Sequence, residues 1–204
     1  MGIMSRPLIA VDIDDVLAAH AEVMVNFSNT RWGHNLKPDD YDEDLASMWG
    51  VSVKEALRRV DELLASGVHA GLRHYKEAIP VLLGLQRRFE LVAVTSRRIS
   101  RKAVTDIWIE RYFPGIFKEI VFAGIFDNFE ELDAQHRLRH TKAELLTSIG
   151  ASYLIDDQPK HCIGAAKAGI TALLFGDYAW NRKLAGLPQG VVRLHTWKDV
   201  ERYF

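Results

Sequence analysis

Cysteine is nearly absent from this chain of 204 residues: Cys162 is the only one. An intramolecular disulfide and a thiolate zinc cluster are both excluded by that count. Long apolar runs are missing too, and nothing approaches the length of a membrane span. Basic runs never exceed two residues and the formal net charge is −1, so a nucleic-acid polymer is not an expected partner. The segment before Pro7 lacks the apolar region of a signal peptide, because the run that follows is short and ends in carboxylates. Internal repeats and low-complexity segments are also lacking. These absences set the expectation of a cytoplasmic protein with no membrane and no nucleic-acid partner; oligomeric state stays open.

What is present is an ordinary globular composition, 48% hydrophobic and 26% charged. The length suffices for one α/β domain and a small accessory unit. Leu8-Ile9-Ala10-Val11 is too short for a helix and follows Pro7, so it reads as a strand buried on both faces. Similar runs occur at 91–94, 120–122, 153–155 and 172–175, with a weaker one at 191–194. Helical patterns lie between most of them, and this alternation argues for a parallel sheet with crossover helices.

Helix signals are local and specific. Pro80 fits a first turn leading into Leu82, Leu83, Leu85 and Phe89. The helix near 100–112 must stop before Pro114. Thr141-Lys142-Ala143-Glu144 is a capping box, and Pro159 opens a further helix that Gly169 closes. Between the first and second strands the rhythm breaks, with about 78 residues where one crossover helix would do. Ala18–Trp32 looks helical there. Ser52-Val53-Lys54-Glu55 is a second capping box, before apolar positions Val53, Ala56, Leu57, Val60, Leu63 and Leu64 at helical spacing. Residues 18–78 are therefore expected to form a helical insert, with 1–17 and 79–204 as the core.

The ends of the strands carry the chemistry. The first ends in Asp12 and Asp14, the second in Thr95-Ser96, and the fourth in Asp156-Asp157. Lys142 starts the helix before the fourth strand. Carboxylates at the end of a buried strand are costly unless paired, and in open α/β sheets ligands bind at that edge. A bound Mg²⁺ would offset the repulsion and would suit phosphate chemistry. The mixture offers a nucleophile, a proton donor, a metal site and donors for phosphoryl oxygens.

Together these residues resemble the haloacid dehalogenase superfamily. Asp12-Ile13-Asp14-Asp15-Val16, Thr95-Ser96, Lys142 and Asp156-Asp157 match its four motifs in order, over roughly residues 7–176. Within it, the stretches 11–18 and 154–159 are similar to the 5′(3′)-deoxyribonucleotidase family. The resemblance implies a Rossmann-like core with a helical cap after the first strand. It implies that Asp12 attacks phosphorus, forming an aspartyl-phosphate. Asp14 would protonate the leaving oxygen and then activate water. Asp12, the Asp14 backbone carbonyl, and Asp156 or Asp157 would hold Mg²⁺. Thr95, with Ser96, Arg97 and Lys142, would bind the phosphoryl group of a small phosphomonoester.

Simpler roles compete at several positions. Asp12 and Asp14 are able to cap a helix, Lys142 to be a solvated first-turn lysine, and Asp15 to be solvated or capping. His161 and Cys162 read as packing, His69 and His74 as cap or hinge residues. Arg97 and Arg98 face either substrate or solvent. Phe27, Trp32, Tyr41, Trp49 and Tyr75 should mostly be core of the insert, with one or two free to stack on a ring. The segment 124–139 reads as a loop at the mouth or an oligomer contact. Asp14 must hold a proton in the first step, so burial and neighbouring carboxylates are expected to raise its pKa. A nucleoside monophosphate is the favoured substrate; a sugar phosphate or phosphoglycolate is the alternative. A dehalogenase, which has no use for Asp14, and a non-catalytic phosphate-binding module are the remaining readings.

Overall fold

Six apolar runs become six parallel strands of one sheet, in the order β3-β2-β1-β4-β5-β6. The computed structural model describes residues 6–123, 141–184 and 186–204. The chain begins with β1 (Leu8–Asp12), then α1 (His20–Trp32), α2 (Leu45–Trp49) and α3 (Val53–Ala65). Next come α4 (Ala78–Leu85), β2 (Glu90–Thr95), α5 (Lys102–Tyr112) and β3 (Ile120–Phe122). After residue 140 follow α6 (Lys142–Ser148), β4 (Ala151–Asp156), α7 (Pro159–Lys167) and β5 (Thr171–Phe175). The chain closes with α8 (Ala179–Arg182), β6 (Val191–Leu194) and α9 (Trp197–Tyr203). The α/β architecture expected from the alternation of runs is the one observed. The reading of segment 124–139 lies outside the described residues.

Helices cover both sides of the sheet, so the central strands β1, β2 and β5 are buried on both faces, while the edge strand β3 is half-buried. Ile9, Val11, Leu91, Ala93, Ile155 and Leu173 face a core shared with α4, α5 and α9. Their neighbours Ala10, Val92, Val94, Leu154 and Leu174 face the opposite core, against α6 and α7. The period of two in a strand divides one apolar run between two cores. Strand order reverses between β1 and β4, so the carboxyl ends of those strands open onto a crevice.

The segment between β1 and α4 builds a third core of its own. Met24, Trp49, Ala56 and Leu63 are buried there, with Phe27 and Trp32 packed against them. Trp32 stacks edge-on to Trp49 at 4.9 Å and to Phe27 at 5.3 Å, while the Arg59 guanidinium lies 4.8 Å over Trp32. Trp49 Nε1 donates to Ser28 Oγ at 2.9 Å, which in turn donates to the Met24 carbonyl.

Two local expectations are corrected. Helix α1 starts at His20 rather than Ala18, because Ala19, with ψ 75°, lies outside the helical region, its amide held by the Arg73 carbonyl. Ser52 does cap α3, accepting from the Glu55 amide, but the Glu55 carboxylate is taken by Arg58 and Arg59, so the return half of the box is lost. Val53, the first of the apolar positions at helical spacing, is 62% exposed. No helix among the described residues is long and apolar enough to cross a membrane.

Trp49→Phe removes the indole N–H bond to buried Ser28 and leaves a void where the larger ring system packed. It is expected to lower stability by about 1–3 kcal/mol, read as a lower urea midpoint at an unchanged slope. An unaltered midpoint would show that neither the bond nor that packing contributes net.

Candidate active site

At the end of β1 the backbone turns sharply. Asp15 sits at φ 58°, the only non-glycine residue with positive φ among the described residues. That conformation is disfavoured for an L-residue and persists only when surroundings hold it. Here the Asp15 carboxylate accepts from the Ala21 amide at 3.0 Å, its amide donates to the Ala18 carbonyl, and Tyr178 Oη donates to its carbonyl at 2.6 Å. Asp15 is thus buried and structural, not solvated. Gly176 (φ +85°) makes room for Tyr178: a Cβ there would lie 2.2 Å from the ring. The turn presents Asp12 and Asp14 at the sheet edge.

Asp12 is buried beside Asp156 and Asp157, and carboxylate oxygens of the three lie within 4.8 Å of one another. Lys142, 2% exposed, is the cation among them: Nζ donates to Asp12 Oδ1 at 2.7 Å and to Asp156 Oδ2 at 2.6 Å. It is no solvated first-turn lysine. Thr141, the N-cap of α6 with its box closed by Glu144, fixes where that side chain starts. The Gln158 amide donates to Asp156 Oδ1 at 2.8 Å. Asp157 Oδ2 accepts from Gln158 Nε2 at 2.9 Å and Trp180 Nε1 at 2.7 Å. One ammonium pairs with two of the three carboxylates and the third has only neutral donors, so the cluster is short of positive charge. Burial, then neighbouring Asp156 and Asp14, raise the Asp12 pKa to about 8 against the pull of Lys142. Burial and Asp156 raise Asp157 as well. An all-oxygen donor set with unbalanced negative charge suits a hard divalent cation.

Asp14 stands apart from this cluster. Arg97 clamps it with two bonds, Nε to Oδ2 at 2.9 Å and a terminal nitrogen to Oδ1 at 2.6 Å. The Arg97 guanidinium also donates to Thr105 Oγ1, and it is buried. The expected rise in the Asp14 pKa is therefore reversed. Burial pushes it up, but the paired Arg97 charge outweighs burial and holds the carboxyl below its ordinary range. Arg97 pairs with a carboxylate, a role not weighed for it, while still lining the cavity. Thr95 is fully buried, its hydroxyl accepting from the Arg97 amide at 3.1 Å. Ser96 instead reaches the cavity wall, and its Oγ is buried without a partner.

The cavity has a volume of about 420 Å³. Asp12, Asp14, Ser96, Arg97, Lys142 and Asp157 line it, and α3 adds an aliphatic wall with Leu57, Val60, Leu63 and Leu64. Of the aromatic residues in the insert, only Tyr41 lines it. Sequence reasoning missed that wall because helical spacing marks an apolar face without saying what it faces. It also missed His20, on the wall and 4.0 Å from Asp15. Trp180 and Tyr178 were missed as well, since a tryptophan after a strand carries no signal of a carboxylate partner.

Sequence comparison fits this geometry. The model of the family "5' nucleotidase, deoxy (Pyrimidine), cytosolic type C protein" matches residues 6–129, more than half the chain. The chain belongs to that family. It is a phosphatase with a haloacid dehalogenase fold, as the four motifs implied. A haloacid dehalogenase-like hydrolase from Streptococcus pneumoniae is 15% identical, with a TM-score of 0.67 over 98% of this chain and 99% of that one. A subfamily IA hydrolase from Geobacter sulfurreducens is 16% identical, TM-score 0.61, covering 97% and 96%. Mycobacterium tuberculosis protein tyrosine kinase A is 17% identical, TM-score 0.67, covering 98% of each chain. Such distant likeness shows the fold alone. No curated protein matches the chain.

Lys142→Met leaves two buried carboxylates without their ammonium. It is expected to cost about 3–5 kcal/mol at neutral pH, measured by chemical denaturation; a loss below 1 kcal/mol would mean that the bridge is not formed.

Arg97→Met leaves Asp14 to burial alone, so its pKa should rise. A depressed carboxyl adds stability above its unfolded pKa and loses it as pH falls through the folded value. The variant should be about 1.5–3 kcal/mol less stable at pH 7, and the difference should shrink as the pH falls toward and below about 4. Parallel stability curves from pH 7 to pH 3 would contradict the pairing.

Proposed function

We propose that the protein is a Mg²⁺-dependent phosphomonoester hydrolase acting through an aspartyl-phosphate on Asp12, with (deoxy)nucleoside monophosphates as substrates. One observation carries it: three buried carboxylates meet at the switch point of the sheet, and a single lysine pairs with only two of them. Asp12 and Asp157, with Asp156 and the Asp14 backbone carbonyl, would hold the ion, which when bound supplies positive charge for the phosphoryl oxygens.

In this reading an Asp12 oxygen attacks phosphorus and the ester P–O bond breaks. The leaving oxygen takes its proton from Asp14. Water then attacks the acyl phosphate, gives a proton to Asp14, and releases inorganic phosphate with Asp12 restored. Asp14 must first exchange its Arg97 bonds for the leaving oxygen, since a carboxylate clamped by a guanidinium has no proton to give. Lys142 would hold Asp12 in line and meet a phosphoryl oxygen, and Ser96 Oγ has a free hydrogen-bonding capacity at the wall. Thr95, behind that wall, would fix the loop carrying Ser96 and Arg97.

Residues 18–78 would act as the cap that closes over substrate and excludes water. Contacts that link it to the core around the cavity favour this role: Arg182–Asp39 at 2.8 Å, Lys160–Glu43, and Tyr41 edge-on to Trp180. A base would lie between Tyr41 and the aliphatic wall of α3, which line the cavity where Trp32 and Trp49 do not.

Asp12→Asn is expected to reduce turnover of p-nitrophenyl phosphate to background in folded protein, and chelation of divalent ions to do the same with recovery on adding Mg²⁺. Hydrolysis near the native rate in either case would sink the mechanism. For specificity, kcat/KM for thymidine and deoxyuridine monophosphates should exceed that for phosphoglycolate. The reverse order would move the substrate to the small-metabolite class.

A further inference from the structure

Cations on the cavity wall are satisfied by carboxylates with one exception among the described residues. Lys142 has Asp12 and Asp156, Arg97 has Asp14, and Arg98 has Asp61 at 3.4 Å. Arg101, just before α5, has none. A terminal nitrogen donates to the Leu64 carbonyl at 3.3 Å, and Nε is buried with no partner. A guanidinium carries five donors in a fixed fork, and a buried unmade N–H is costly. Near it the same wall holds His69, 8% exposed, whose Nδ1 is also buried and unpartnered. His69 stacks at 5.6 Å on His20, whose Nδ1 is likewise unpartnered. The cavity lining therefore joins the carboxylate cluster, the aliphatic face of α3 and, beside the end of α3, a guanidinium nitrogen that has no acceptor.

We propose that the organic part of the substrate ends in an oxygen acceptor, a carboxylate or a ring carbonyl, held by Arg101 beyond an apolar segment that lies on Leu57, Val60 and Leu64. This rests on the phosphatase reading and narrows it. Arg101 would be a specificity residue, remote from the reacting phosphorus. A site built to donate to a substrate oxygen rejects an analogue lacking it, because its donors are then left buried and unpaired.

The test uses three phosphomonoesters: deoxyuridine monophosphate, a straight-chain ω-phosphooxy carboxylate, and the alkyl phosphate of equal length ending in methyl. The wild type should favour one or both acceptor-ended esters over the alkyl phosphate, and which one it favours separates a ring carbonyl from a carboxylate. In Arg101→Met that preference, as a ratio of kcat/KM, should fall about ten- to a hundredfold, mainly through KM. Arg101→Lys should restore part of it. An unchanged ratio in Arg101→Met, with all three esters still hydrolysed, overturns this inference and leaves the phosphatase reading standing. If the wild type hydrolyses none of the three, the phosphatase reading falls and this inference with it.

Discussion

The ammonium of Lys142, held between Asp12 and Asp156 in a fully buried setting, is the interaction on which the rest of the site depends. Two strands end there in carboxylates side by side, and a single cation lets both stay. Breaking a buried charge network is far more costly than any one surface pair. Burying Lys142 requires α6 to begin at a fixed place, which the Thr141–Glu144 capping box secures. It also requires β1 and β4 to be neighbours in the sheet, as their parallel register makes them. Stability and chemistry thus meet in one contact. The bridge that makes the fold tolerable also orients the proposed nucleophile.

A second constraint shapes the other half of the site. Asp14 and Arg97 form a two-bond pair on the cavity wall, and Arg97 is anchored again on Thr105 of α5. The loop after β2 therefore dictates where the Asp14 carboxylate points. Asp15, in its left-handed conformation and pinned by Tyr178 and Ala21, decides how the chain leaves β1. The two adjacent aspartates have opposite tasks: one is locked in the structure, the other faces the cavity.

The insert shows why a small helical unit uses so many aromatic rings. Its core is only a few helices wide, and Phe27, Trp32 and Trp49 fill it by edge-on packing. The surface left to face the cavity is aliphatic, from α3. The expectation of an aromatic slot reduces to Tyr41 for that reason. Ring residues needed for a core are not free for a ligand.

The strands were legible in the sequence because a strand covered on both faces is apolar along its length, and the runs sit where the six strands lie, the half-buried edge strands β3 and β6 being the shortest and the weakest of them. The helix starts at Thr141 and Pro159 were legible because capping and proline chemistry are local. Asp12, Asp14, Asp156 and Asp157 stood out as carboxylates at strand ends, where burial without a partner is costly. Only the tertiary structure decided who those partners are. That Lys142 spans two strands, that Arg97 takes Asp14 and lowers its pKa, and that Trp180 serves Asp157 depend on side chains brought together from distant segments. Short-range patterns record what a residue prefers next to it. They hold no record of which charge arrives from across the sheet, and in a buried site that charge determines protonation and orientation.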